Sequence, residues 1–77
     1  MTAESEPIPE VECYGNGQAK FNGFRLAGAL HGVWEWYRTD GSVMRTGQFD
    51  GGKQVGVWRT FDRSGRMVKE TDFTKRP

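Results

Sequence analysis

Glycine recurs in this chain with a register of 24 residues, and that period constrains the fold more than any other feature. Gly17, Gly41 and Gly65 align under the shift, as do Gly23 with Gly47, Gly28 with Gly52, and Gly32 with Gly56. Nine of the eleven glycines obey one spacing, which composition alone would not produce. The aromatic residues follow it: Trp34 with Trp58, Tyr37 with Phe61, Phe49 with Phe73. Val33 matches Val57 and Arg45 matches Lys69. A fixed period of this length means that one supersecondary unit recurs and that neighbouring units cover each other's apolar surface. The units span 17–40, 41–64 and a half-unit from 65 to about 74. The first copy is the least regular: Arg25 stands where Phe49 would align, and Phe24 lies one position early. Terminal copies often differ in this way because they cap the stack.

Each unit reads as a β-hairpin. The stretches 33–38, 43–49, 57–62 and 67–73 are rich in aromatic and β-branched residues, which favour strands. Thr39-Asp40-Gly41 and Arg63-Ser64-Gly65 lie between them as three-residue hairpin loops, whose last position needs the positive φ that glycine adopts freely. Asp50-Gly51-Gly52-Lys53 and Leu26-Ala27-Gly28-Ala29 supply the turns from one hairpin to the next. The expected architecture is all-β: an antiparallel meander of about five strands, near 18–25, 32–38, 42–49, 56–62 and 66–73, in a single-layer sheet of tandem 24-residue hairpins.

Residues 1–14 read as a flexible acidic tail, 15–74 as the sheet domain and 75–77 as a short C-terminal tail. The leader carries Pro7, Pro9 and little apolar surface to offset ordering entropy. An edge strand over 8–13 is the alternative. Glu4, Glu6, Glu10 and Glu12 give the first twelve residues a charge of −4, which leaves +5 for the remainder of a chain whose net charge is +1. That balance is too mild to imply nucleic-acid binding by itself.

A single cysteine, Cys13, allows no internal disulfide, and the absence of a secretory leader or of an apolar run near ~18 residues points to a cytoplasmic setting. Together with His31, the only histidine, Cys13 falls short of a zinc site of the usual composition. His31 is expected in the turn before a strand. Asp40, Asp50, Asp62 and Asp72 occur in or near turns, where Asp is common for local hydrogen bonding. No nucleophile is paired with a base, so neither catalysis nor a cofactor is expected.

Gly28-x-x-x-Gly32-x-Trp34-x-x-Tyr37-x-x-x-Gly41 recurs as Gly52-x-x-x-Gly56-x-Trp58-x-x-Phe61-x-x-x-Gly65. This pattern resembles the MORN repeat, in the variant form found in many bacterial proteins, some labelled antitoxin-like. The resemblance covers about Gly17 to Phe73. The usual unit of that family is one residue shorter and often ends in Gly-x-Gly, where both copies here have Gly-x-Trp. Family members typically carry more copies. The resemblance implies scaffolding and protein association; the lipid binding proposed for some members fits poorly, because no dense run of Lys or Arg is present.

Trp34, Trp36, Tyr37, Trp58 and Phe61 form the candidate protein-binding surface, against the plainer reading that they are the core of a thin sheet. Strand alternation puts Trp34 and Trp36 on one side, with Glu35 and Tyr37 on the other unless a bulge intervenes. Trp36 is the most informative, because its counterpart is Thr60 and the repeat does not require it. Aromatic surface on both sides of a chain of 77 residues calls for cover from the tail, a protein partner or a second copy. The expected function is therefore non-catalytic protein association, with self-association among its forms. Two alternatives stand beside it: an antitoxin-like role, and single-stranded nucleic-acid binding through Arg25, Arg38, Arg45, Lys53, Arg59, Arg63, Arg66 and Lys69 interleaved with aromatics.

Overall fold

In a computed structural model, which describes residues 6–73, the chain forms one six-stranded antiparallel sheet. The strands are β1 (Ile8–Cys13), β2 (Ala19–Leu26), β3 (Ala29–Tyr37), β4 (Val43–Asp50), β5 (Lys53–Phe61) and β6 (Met67–Asp72). They lie side by side in chain order, so every neighbour pair is joined by a short turn. The described chain measures 44 × 40 × 11 Å, and its short dimension leaves no room for a second sheet, which would lie about 10 Å away.

Two kinds of turn alternate. The wider one occurs three times: Arg38 and Ser42 are joined by Arg38 N–H donating to the Ser42 carbonyl (2.9 Å), and Gly41 N–H donates to the Arg38 carbonyl (2.9 Å). Tyr14–Gly17 and Asp62–Gly65 repeat these bonds at the same 24-residue spacing. Gly41 and Gly65 both have φ near +91°, as the three-residue loop requires. The tighter turns join one hairpin to the next, with Gly51 and Gly52 in one and Ala27 and Gly28 in the other, all at positive φ. These tight turns let β3 and β5 start at Ala29 and Lys53, three residues before the expected starts.

The strand β1 departs from the favoured sequence reading, an acidic tail beside about five strands, and matches its alternative, an edge strand over 8–13. It pairs with β2 from Ile8–Arg25 to Glu12–Phe21. The backbone ladder holds it with little apolar burial, and two exposed ion pairs flank it: Glu10 with Arg25, and Glu12 with Lys20 at 3.3 Å. The pairing register of β1–β2 recurs in β3–β4 and β5–β6 under shifts of 24 and 48, so β1 begins a hairpin of the same kind as the later two. Of the tails, residues 1–5 and 74–77 lie outside the described residues.

Candidate functional site

The aromatic residues form a ladder on one face. Phe21 of β2 meets Trp34 of β3 (centroids 5.4 Å apart), Trp34 meets Trp36 (5.9 Å), and Trp36 meets Trp58 of β5 across β4 (5.5 Å). Phe49 of β4 stands edge-on to Trp34, Trp36 and Trp58, at 6.2, 6.4 and 5.1 Å. Phe73 closes the row against Trp58 at 6.3 Å. Tilted and edge-to-face geometries suit the ring quadrupole.

Gly23 and Gly47 explain how indoles fit on so thin a sheet. Neither glycine has a positive φ; each is needed because a side chain would collide. A Cβ on Gly23 would lie 2.1 Å from the Trp34 indole, and one on Gly47 would lie 2.3 Å from that of Trp58. Each indole leans from its own strand over the glycine of the preceding hairpin. Its Nε1–H is satisfied by backbone: Trp34 donates to the Phe24 carbonyl (3.0 Å) and Trp58 to the Val55 carbonyl (3.1 Å). Trp34 is thus only 3% exposed and Trp58 only 6%, although nothing packs above them but other side chains of the same sheet. In the first and last described strands the device is missing. Glu10 stands at the Trp position in β1, and Thr71 at the glycine position in β6.

Trp36 differs from both. It is partly exposed, and it lines an open hollow of about 310 Å³ with Met44, Arg45 and Thr60. A bulge makes the hollow. Trp36 pairs with Arg45 but Tyr37 pairs with Val43, so Met44 is the extra residue on β4. Arg45 lies over the Trp58 ring at 5.8 Å, which keeps a cation beside the apolar floor.

Three of the five candidate residues, Trp34, Trp36 and Trp58, therefore come together. Tyr37 does not join them. A register shift does fall between Trp36 and Tyr37, yet Tyr37 stays with Glu35, to which its hydroxyl donates (2.6 Å), while Asn22 donates to that hydroxyl (3.3 Å). Phe61 holds the equivalent register position in β5, paired with Met67 beside the matching shift. Sequence reasoning missed Met44 and Arg45 as walls of the hollow and Gly23 and Gly47 as indole seats. Glycine in mid-strand was the available signal for the latter, because it marks close approach of another group.

The second face mixes exposed apolar residues, Val11 and Val33, with the hydrogen bonds of Tyr37 to Glu35 and Asn22. Tyr37 titrates above the ordinary phenol value, chiefly because the Glu35 carboxylate holds its proton and secondarily through burial. With the folded value raised, this bond contributes stability at neutral pH that is lost as pH rises through the folded value. Glu35→Gln is expected to move the Tyr37 transition to lower pH in a spectrophotometric tyrosinate titration; an unmoved curve would remove Glu35 as the cause. Asp40 and Asp62 shift the opposite way. Ser42 N–H holds the Asp40 carboxylate down, and the Ser64 hydroxyl does the same for Asp62. Their contribution is present above the ordinary carboxylate range and fades as pH falls through the depressed values.

His31 lies within β3, not in the turn before it. Its Nδ1 accepts the Gly51 N–H at 3.3 Å, which assigns it a structural role at the tight turn. Cys13 is exposed. Among the described residues, no group of three or more His, Cys, Asp or Glu could hold a metal ion, and no helix is long and apolar enough to cross a membrane. No family model, no curated protein and no solved structure matches the chain.

Proposed function

We propose that the chain is a non-catalytic, MORN-like module for protein association, and that it meets its partner at the hollow beside Trp36. One observation carries this reading. Trp36 and Thr60 are equivalents in the 24-residue register, and both line the hollow. The repeat is satisfied with threonine at that position in one copy, so the large ring in the other is not required by it and, beyond its ladder contacts, is free to meet a partner. Trp is enriched among residues that dominate binding energy, and Met adapts its shape to what it meets. Trp36 and Met44 around Arg45 suit a partner that offers an apolar side chain flanked by a carboxylate.

The fate of the basic residues supports protein over single-stranded nucleic acid. Arg25 pairs with Glu10, Arg59 with Glu70 and Arg63 with Asp40, while Arg38 donates to the Phe61 carbonyl at 2.6 Å. The three arginines paired with carboxylates stay exposed, but their charge is partly neutralised within the chain, where a phosphate-binding track needs it uncompensated.

A photo-reactive amino acid in place of Met44, in cells of the native host, tests the proposal. It should yield one dominant protein adduct, and the same group in place of Val33, on the opposite face, should not. An adjacent toxin would be identified directly if the partner is one. Identical adducts from both positions, or none from position 44, would remove the hollow as the binding site.

A further inference from the structure

The hairpins join one another through a recurring register. In β2–β3, Phe21 faces Trp36 and Asn22 faces Glu35; in β4–β5, Arg45 faces Thr60 and Thr46 faces Arg59. These are the same pairs shifted by 24 residues. The outer edge of β6 is the next edge in that series, and among the described residues no strand covers it. Met67 and Val68 on it are 44% and 59% exposed. At the other end β1 offers the equivalent of β3 and β5, with Ile8 and Val11 exposed.

We propose that these edges fit each other, so that a second copy of the chain adds its β1 to β6 and continues the meander head to tail. The proposal rests on the reading of the chain as an association module, but uses the sheet edges rather than the Trp36 hollow. The register sets the contacts. Lys69 stands 24 residues after Arg45 and Glu12 stands 48 before Thr60, so Lys69 of one copy faces Glu12 of the next. Glu70 faces Val11 by the same shift. Opposite charges directly across an antiparallel pair are favourable.

The ladder positions agree with this occupant. A strand bearing Trp at the usual place would press its indole onto Thr71, whose Cβ occupies the space that Gly47 leaves open for Trp58. The β1 strand brings Glu10 there, which needs no such seat. Pro9, which would normally guard an edge, falls at the position of Val33 and Val57. On the side in question the register passes from Asn22–Glu35 directly to Phe24–His31, and likewise from Thr46–Arg59 to Gln48–Val55, so the ladder is already interrupted where Pro9 would sit. Pro7 falls at the Val55 position, where it has no N–H to donate, so the joint ends before it. A side-chain contact is not continued either. The Tyr14 hydroxyl donates to the Tyr37 carbonyl and Arg38 to that of Phe61, but Asp62 is committed to Ser64 and Arg66. The joint between copies is therefore weaker than those within the chain, and association is reversible.

Sedimentation of the full chain over a concentration series tests this. Lys69→Glu and Glu12→Lys should each weaken association about fivefold or more, and the double reversal should restore it to within about twofold, as expected for one charge pair worth ~1 kcal/mol. Circular dichroism should be unchanged throughout, because the Glu12–Lys20 pair is exposed. A strict monomer at the highest concentration reached would overturn the proposal, as would association that neither reversal alters. Association lost only in Trp36→Thr would also overturn it, while leaving the hollow as the contact. Absence of any Met44 adduct bears on the hollow and not on this edge.

Discussion

Gly47→Ala should lose most of the stability of the domain, although it adds a single methyl group. The new Cβ would sit 2.3 Å from the Trp58 indole, where real contacts are never found. Trp58 has no slack to give. Its Nε1–H is held by the Val55 carbonyl, Phe49 stands edge-on at 5.1 Å, and Trp36 and Phe73 flank it at 5.5 and 6.3 Å. Either β4 moves away from its neighbours or the indole leaves the ladder. Overpacking alone costs about 1–3 kcal/mol. Each lost ring contact adds about 0.5–1.5 kcal/mol. A loss of about 3–5 kcal/mol is expected, against a total near 0.05–0.15 kcal/mol per residue for domains in general. Gly15→Ala is the control: its Cβ meets nothing within 4 Å and its φ is not positive, so the change should stay within about 0.5 kcal/mol. Urea unfolding followed by Trp fluorescence reads both. Equal midpoints for the two variants would dismiss the indole-on-glycine account.

Part of this was legible in the sequence, and the reasons differ by residue. Gly41 and Gly65 could be assigned to hairpin loops because a positive φ is a local demand, visible in the Thr39-Asp40-Gly41 and Arg63-Ser64-Gly65 triplets. The single-layer antiparallel meander followed from those turns and from the strand-forming runs between them. Gly47 serves a contact with Trp58, a residue on another strand, and no local pattern states which ring will lean over it. The strand β1 was legible only as the alternative to a tail, for a related reason. Glu10 and Glu12 occupy the positions of Trp34 and Trp36, so the apolar pattern is gone while the backbone pairing with β2 persists. Alternation correctly separated Tyr37 from Trp36. It could not place Met44 beside Trp36, because the bulge that does so is a property of two strands together.

The difference between the copies remains the best guide to what each ring is for. Trp34 and Trp58 recur and are buried over glycine; Trp36 does not recur and is partly exposed. Trp36→Thr makes the first full copy resemble the second at this position. It leaves both glycine seats filled and gives up the ring contacts of Trp36 with Trp34, Phe49 and Trp58. At about 0.5–1.5 kcal/mol for each ring contact, stability should fall by about 1.5–4.5 kcal/mol, with both buried indoles still seated. Binding by the folded protein should also fall, because truncating a central aromatic anchor costs about 2 kcal/mol or more, roughly thirtyfold in affinity.

The most direct test combines both readouts in one variant: the yield of the position-44 photo-adduct in the Trp36→Thr background, with the unfolding midpoint measured on the same protein. A folded protein with the adduct reduced to background is the predicted result. An undiminished adduct, or a chain that no longer folds, would contradict the assignment of Trp36 to the partner and of Trp34 and Trp58 to the fold.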